Sequence, residues 1–285
     1  MNHSEFDTNQ TSQRENWDTV AAGWQKWWKT FENGAQKVSN KLVELARIER
    51  GQKVLDIATG IGEPAVTASR RVGDLGYVLA TDFSPEMLAI AKERVSHDGC
   101  NNIEFKEGDA ATIALPSSYF DAALCRWGLM FLPNLSAALE NIRRSLVSGG
   151  KFAAAVWSEP EKVPQLNIAM SIVRQNLQPL TSVEVPGAFS LANINRLENF
   201  LLQAGFDNIK IENIQVTFEF DSAQDYVKFT QDIAAPVNMM MANESSEIKE
   251  DLWNKIAEKV NSQYTRKNGH VMMENEAICV VADYK

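Results

Sequence analysis

Cysteine and histidine are both scarce in this chain. Cys100, Cys125 and Cys279 are odd in number and far apart, and His3, His97 and His270 form no ligand pair with them. Neither structural disulfides nor a metal site is expected. No apolar run approaches the roughly 18 residues of a membrane span. The opening, MNHSEFDTNQTSQREN, lacks the apolar segment of a secretion signal, so the expectation is a cytoplasmic chain. Positive charge is also short: 28 Lys and Arg against 37 Asp and Glu give a net charge of −9. Tracking a phosphate backbone needs clustered cations, so nucleic acid is not an expected partner and small molecules are favoured.

What is present is a core-forming composition, with 45% hydrophobic and 23% charged residues in 285. Strand-like segments at 53–57, 77–81, 103–106, 122–125 and 151–157 alternate with helix-like segments near 63–72, 85–95 and 135–146. Such alternation predicts an α/β fold, a doubly wound, mostly parallel sheet. Ligands on these sheets bind beyond the carboxyl ends of the strands, where strand order reverses. Polar residues stand at those positions: Asp56 closes the first strand, Asp82 follows the second, Asp109 the third, and Arg126 with Trp127 the fourth.

The first strand runs into VLDIATGIGEPA, a strand, tight turn and helix start. Gly60 and Gly62 let the backbone turn sharply or approach a ligand, and Pro64 suits a first helical turn. A glycine pair alone is weak evidence, equally at home in a turn needed only for folding. Asp82, 22 residues after Gly60, can accept from a ribose hydroxyl. Asp109 can accept from an exocyclic base amine, and Met87 can pack on the base plane. Singly each has an ordinary reading as a cap or loop acid; together, at successive strand ends, they favour a nucleoside.

Which nucleoside is open on the glycines alone, because Gly60, Gly62 and Ala65 also satisfy the dinucleotide fingerprint of an NAD(P)-dependent oxidoreductase. Asp56 and Glu63 weigh against it, since acids at the helix start would repel a pyrophosphate. A cofactor carrying a sulfonium and an α-ammonium would gain from them instead.

Five ordered segments, VLDIATGIGEPA, ATDFSPEMLAIAKER, IEFKEGDAATIALP, FDAALCRWGLMFLPN and LVSGGKFAAAVW, resemble the class I S-adenosylmethionine-dependent methyltransferases. The likeness is to the branch containing the ubiquinone/menaquinone-biosynthesis C-methyltransferases. It covers about residues 40–157, with a weaker match from LENFLLQAGFDNIKIENI onward. The resemblance implies a Rossmann-like seven-stranded sheet with helices on both faces and an antiparallel last strand. It also implies S-adenosylmethionine as cofactor, its methionine part on the Asp56–Gly62 turn with Ala58 and Thr59, and its ribose on Asp82 beside Phe83. The adenine would lie against Gly108, Asp109, Ala110 and Met87, and the amino-acid end at the backbone around Arg126 and Trp127. Thr59, where many members carry Gly or Cys, and Pro64 depart from the common pattern and leave the subfamily open.

Methyl transfer needs alignment of donor and acceptor and exclusion of water more than a dedicated base. His270 is a weak candidate base; otherwise no catalytic side chain is expected. The Asn- or Asp-Pro-Pro-Tyr motif of many nucleic-acid and glutamine methyltransferases is absent after strand four, leaving a small-molecule acceptor at O, N or C. A binding protein that holds the cofactor and transfers nothing is the other rival, and homodimerisation is open.

Two additions fall outside the common core. Residues 1–35 form a tail and an aromatic helix in which Trp17, Val20, Trp24, Trp27, Trp28 and Phe31 share one face. A helical insertion spans about 221–268 and contains Met239, Met240 and Met241. Core packing explains most of these residues. Their functional reading is a helical lid, with Trp17, Trp24, Trp28, Met239 and Met240 as pocket candidates on a single methyltransferase domain, 36–285.

Overall fold

A computed structural model describes residues 3–177 and 186–285, with side chains from residue 13 onward. The described residues form two compact units. The first draws on residues 1–35, 159–185 and 215–276, the second on 36–158, 186–214 and 277–285. Three separated segments make the first unit, so no single linker marks it in the sequence.

The second unit is built around the strands β1 (Lys53–Ile57), β2 (Tyr77–Asp82), β3 (Ile103–Glu107), β4 (Phe120–Arg126) and β5 (Leu146–Trp157). Two longer strands, β6 (Asp207–Phe220) and β7 (Val271–Asp283), complete a seven-stranded sheet of order β3-β2-β1-β4-β5-β7-β6. The pairs β1–β2, β2–β3, β1–β4 and β4–β5 are parallel, while β5–β7 is antiparallel. Order reverses at β1, which lies between β2 and β4. Helices α2 (Ala65–Val72) and α3 (Pro85–Asp98) connect strands in one direction, and α4 (Leu135–Ser145) connects β4 to β5 in the other. Right-handed crossovers therefore put α2 and α3 on one face and α4 on the opposite face.

Central strands read as unbroken apolar runs because both of their faces are covered. Leu55, Ile57, Val78, Leu124 and Phe152 are fully buried. Ser84 caps α3, its hydroxyl accepting from the Met87 N–H at 3.1 Å, with Pro85 at the first helical position. Strand β5 begins at Leu146, earlier than the apolar run at 151 predicts. A distant partner extends it: the Gly149 N–H donates to Tyr284 O at 2.7 Å and the Tyr284 N–H to Gly150 O at 2.9 Å. Helix α2 starts at Ala65, one residue later than a Pro64 in the first turn would give.

The first unit holds the amino-terminal part of α1 (His3–Leu45), α5 (Pro164–Asn176), α7 (Ala223–Ile233), α8 (Ala235–Met240) and α9 (Ser246–Tyr264). The remaining helix, α6 (Ile194–Gln203), belongs to the second unit. The tail expected before the aromatic helix is itself helical from His3. Phe31 stacks on Phe218 with centroids 5.1 Å apart, and Trp27 meets Phe229 edge-on at 5.8 Å. Gly23 permits close approach, since a Cβ there would lie 2.0 Å from the Asp232 carbonyl oxygen. Asp232 accepts from Trp27 Nε1 at 2.7 Å and Lys26 Nζ at 2.6 Å. Desolvation pushes its pKa up, but those two donors outweigh it and hold the acid below its ordinary value.

Candidate functional site

The turn after β1 is tied to β2 by the Thr59 N–H, which donates to Thr81 O at 2.9 Å. Ala58, Gly60 and Gly62 all have left-handed φ, +54°, +56° and +103°. Only small residues suit such a turn. A Cβ at Gly60 would meet nothing within 4 Å, so the backbone there is open to approach. Gly128, after β4, is needed for a different reason: a Cβ on it would lie 2.5 Å from the Ala58 Cβ. The turns after β1 and β4 thus touch.

Asp82 organises the same turn. One carboxylate oxygen accepts the Gly60 N–H at 2.8 Å and the other the Ser84 N–H at 3.0 Å, with the residue 7% exposed. A carboxylate oxygen can accept from more than one donor. Phe83 is half-buried beside it, and Met87 is buried on α3. The Gly108 N–H donates to Asp82 O at 2.9 Å, joining the third strand end to the second. Asp109 is half-buried, and its carboxylate accepts the Ala111 N–H at 2.6 Å. Ala110 is buried, and Asn141 Nδ2 donates to Ala110 O at 3.0 Å and Ile113 O at 2.9 Å. Asn141 escaped sequence reasoning because it lies within the amphipathic helix α4, where a buried Asn gives no signal beyond its position on the apolar face.

Asp56 carries the strongest chemical signature. It is fully buried on β1, between Ala80 and Leu124 of the flanking strands. Neither carboxyl oxygen has a partner in full hydrogen-bond geometry, and nor has the buried Thr59 hydroxyl, which with the Ala65 N–H lies near enough to act on the carboxyl electrostatically. Desolvation pushes the Asp56 pKa up to about 8. Thr59, the Arg126 charge and the Ala65 N–H pull it back, too weakly to restore an ordinary carboxylate, while Glu63 raises it further. Burial and the nearby Asp56 also push the Cys125 thiol up to about 12, so it stays neutral. Unpartnered buried acceptors at a strand end invite a cationic donor.

Arg126 closes β4, its Nη1 donating to the Ser39 hydroxyl of α1 at 2.9 Å. Its guanidinium lies 5.3 Å from the Trp127 ring, which stacks on Trp157 at 4.3 Å and 13°. Trp127 has φ +57°, unusual for so bulky a residue, and its N–H donates to Ala155 O at 2.8 Å. Strain of this kind gathers at functional sites.

All thirteen residues expected around the cofactor, from Asp56 to Trp127, lie in the second unit, on the ends of β1, β2, β3 and β4 or the segments that follow. The acceptor candidates lie in the first. Trp17, Trp24 and Trp28 are half-buried on α1, with Trp24 edge-on to Phe31 at 4.8 Å and its buried Nε1 unpartnered. Met239 is 45% exposed and Met240 half-buried. His270 is exposed in the turn before β7, its Nδ1 3.6 Å from an Asp221 carboxylate that is itself open to solvent. No group of three or more metal-ligating side chains occurs among the described residues.

Residues 54–150 match a family model described as a methyltransferase domain. The chain is 31% identical over 148 residues to the ubiquinone/menaquinone biosynthesis C-methyltransferase of Coxiella burnetii, covering 52% of this chain and 55% of that protein. It spans about half the length of the curated relatives it matches. Among solved structures the fold resembles a phosphoethanolamine N-methyltransferase of Haemonchus contortus, solved with phosphomonomethylethanolamine and S-adenosylhomocysteine. That match has a TM-score of 0.57 and 20% identity, over 93% of this chain and 57% of that one. The [4+2]-cyclase SpnF shares the fold at a TM-score of 0.54 and 18% identity, over 87% and 81%. Fold alone therefore does not fix the reaction.

Proposed function

We propose that this chain, whose residues 54–150 match a methyltransferase domain, is a class I S-adenosylmethionine-dependent methyltransferase similar to the ubiquinone/menaquinone C-methyltransferases and transfers a methyl group to O, N or C of a small molecule. The observation that carries the reading is the buried, unpartnered acid Asp56 at the turning point of the sheet. A dinucleotide would bring two negative charges to that place; S-adenosylmethionine brings an ammonium and a sulfonium. The residues fit the group: Asp56 and Thr59 lack donors, and the Gly60 backbone is open on its Cβ side. Asp82 has acceptor capacity for ribose hydroxyls, and Asp109 and Ala110 stand where the base would be read.

The cofactor, when bound, supplies an activated methyl group with its own leaving group. The chain's work is then to hold and orient. Asp56 balances the cationic end, Asp82 fixes the ribose while pinning the Gly60 amide, and Asn141 holds the 110–113 loop in place for the base. Alignment of this kind accounts for roughly 7–11 kcal/mol of a barrier. His270 stays the weak candidate base, exposed in the turn before β7. Acceptor choice falls to segments outside residues 54–150, with Trp17, Trp24, Trp28, Met239 and Met240 as the residues to vary. A cytoplasmic location goes with this reading.

The test is transfer of a labelled methyl group from S-adenosylmethionine into a fractionated metabolite extract, followed by mass identification of the labelled product. A labelled small molecule supports the proposal. Tight adenosylhomocysteine binding with no labelled product in any fraction would favour a cofactor-holding protein of another activity.

A further inference from the structure

Between the carboxy-terminal turns of α1 and helix α2 lies a cavity of about 740 Å³, a volume within the range of small-molecule sites. Its walls all belong to the second unit, and Val43 is the only apolar residue among them. Three arginines, Arg47, Arg70 and Arg71, line it together with two acids, Glu44 and Glu49. Most of these charges are already matched. Glu44 pairs with Lys41 at 3.4 Å and Arg70 with Asp98 at 3.0 Å. Arg71 is anchored through Nε, which donates to Ile48 O at 2.7 Å, while its terminal nitrogens have no hydrogen bond or ion pair among the described residues. The Arg47 side chain has no such partner at all among them. Two guanidinium groups with open donors thus stand against one unpaired acid, Glu49. Local structure brings the pair together: Arg47 lies just past the end of α1 at φ +52°, where glycine is usual, and its neighbour Ile48 supplies the carbonyl that anchors Arg71. An arginine held in a left-handed turn with nothing to bind is the kind of strained residue that gathers at ligand sites.

We propose that this cavity binds a small oxyanion, a phosphate or carboxylate compound, through Arg47 and Arg71. Guanidinium forks match both groups with paired, charge-assisted hydrogen bonds. One apolar residue in the wall offers no bed for an acyl chain, so the ligand is polar throughout, and Glu49 suits a hydroxyl or amine on it. The site is separate from the cofactor's. None of the residues expected around the cofactor lines the cavity, and Thr67, which does, faces the cofactor turn only by donating to Glu63 Oε2 at 2.7 Å. Both ligands therefore bind together, and the inference stands whether or not the cofactor reading does.

The test is calorimetry on the full chain at low ionic strength, where charge is least screened, with inorganic pyrophosphate and, separately, citrate as probes. At least one should saturate at one site per chain: pyrophosphate alone assigns phosphate compounds, citrate alone carboxylates, and both the shared oxyanion. Saturating adenosylhomocysteine should displace neither. Arg47→Gly suits the left-handed backbone, so its melting temperature should not fall, yet it should weaken the bound probe about tenfold or more. Arg71→Met should weaken it as much. Lys92→Ala removes an exposed cation outside the cavity and should leave the affinity unchanged. No saturable heat with either probe, equal weakening by Lys92→Ala, full affinity in Arg47→Gly, or displacement by adenosylhomocysteine would overturn the proposal.

Discussion

Replacing Asp56 with asparagine keeps its shape and removes its charge. In the free protein the carboxyl is pushed up to about 8 from an ordinary 3.8. The folded state therefore holds this proton more tightly than the unfolded chain does. Stability from the group is full below about pH 4 and is lost as pH rises toward 8. The ceiling on that loss is of order 5 kcal/mol, reduced by relaxation and water entry. Arg126, Thr59 and the Ala65 amide act the other way, and Glu63 with it. Asp56→Asn should abolish the slope, so that urea midpoints of wild type fall relative to the variant between pH 5 and pH 8.5. Saturating adenosylhomocysteine should shrink the difference, because an ammonium favours the carboxylate. By the same linkage, calorimetry should show wild-type affinity rising from pH 5 to pH 8 with proton release. Asp56→Asn should bind with a flat profile, weaker at pH 8 by about 1.5–3 kcal/mol, or roughly 10- to 150-fold. Parallel pH profiles for wild type and Asp56→Asn, with Glu63→Gln as a control for its neighbour, would refute the reasoning.

Three further outcomes follow from the same geometry. Asp82→Ala should weaken adenosylhomocysteine by about 10- to 150-fold, because a charged acceptor for ribose is lost together with the anchor of the Gly60 amide; unchanged affinity by calorimetry would remove Asp82 from the site. Gly60→Ala adds a methyl into open space at φ +56°, a backbone cost of about 1–2 kcal/mol visible in the melting temperature. Its loss of cofactor affinity should exceed that cost, and normal binding would place the ligand elsewhere. Asp232→Ala removes the partner of Trp27 and Lys26 and should destabilise the protein by about 1–3 kcal/mol. Adenosylhomocysteine affinity should stay within twofold, since Asp232 is held by Trp27 and Lys26 and is not among the residues expected around the cofactor; a large change would add it to them.

Sequence disclosed most of the parallel sheet, because buried parallel strands are short apolar runs and their ends carry the polar residues. Asp56, Asp82, Asp109 and Arg126 were legible for that reason. Less visible were features whose cause is far away in the chain. The early start of β5 goes with pairing of Leu146 to Phe120 of β4 and of Gly149 and Gly150 to Tyr284, and Asn141 matters because its amide donates to Ala110 O and Ile113 O. Ser39 is one small polar residue in a 43-residue helix, and nothing in its surroundings in sequence announces that Arg126 donates to it. The aromatic face of α1 was evident from its spacing, but its partners Phe218, Phe229 and Asp232 were not. Periodicity tells which face is apolar and not what covers it. Gly23, a nominal helix weakener, likewise makes sense only against the Asp232 backbone.

The most direct test of the central claim is calorimetric titration of the full chain with adenosylhomocysteine and, separately, with NAD. One adenosylhomocysteine site per chain, lost with Asp82→Ala, and no heat with NAD is the predicted result. A chain that binds NAD and ignores adenosylhomocysteine would contradict the reading of Asp56 as a seat for a cationic cofactor.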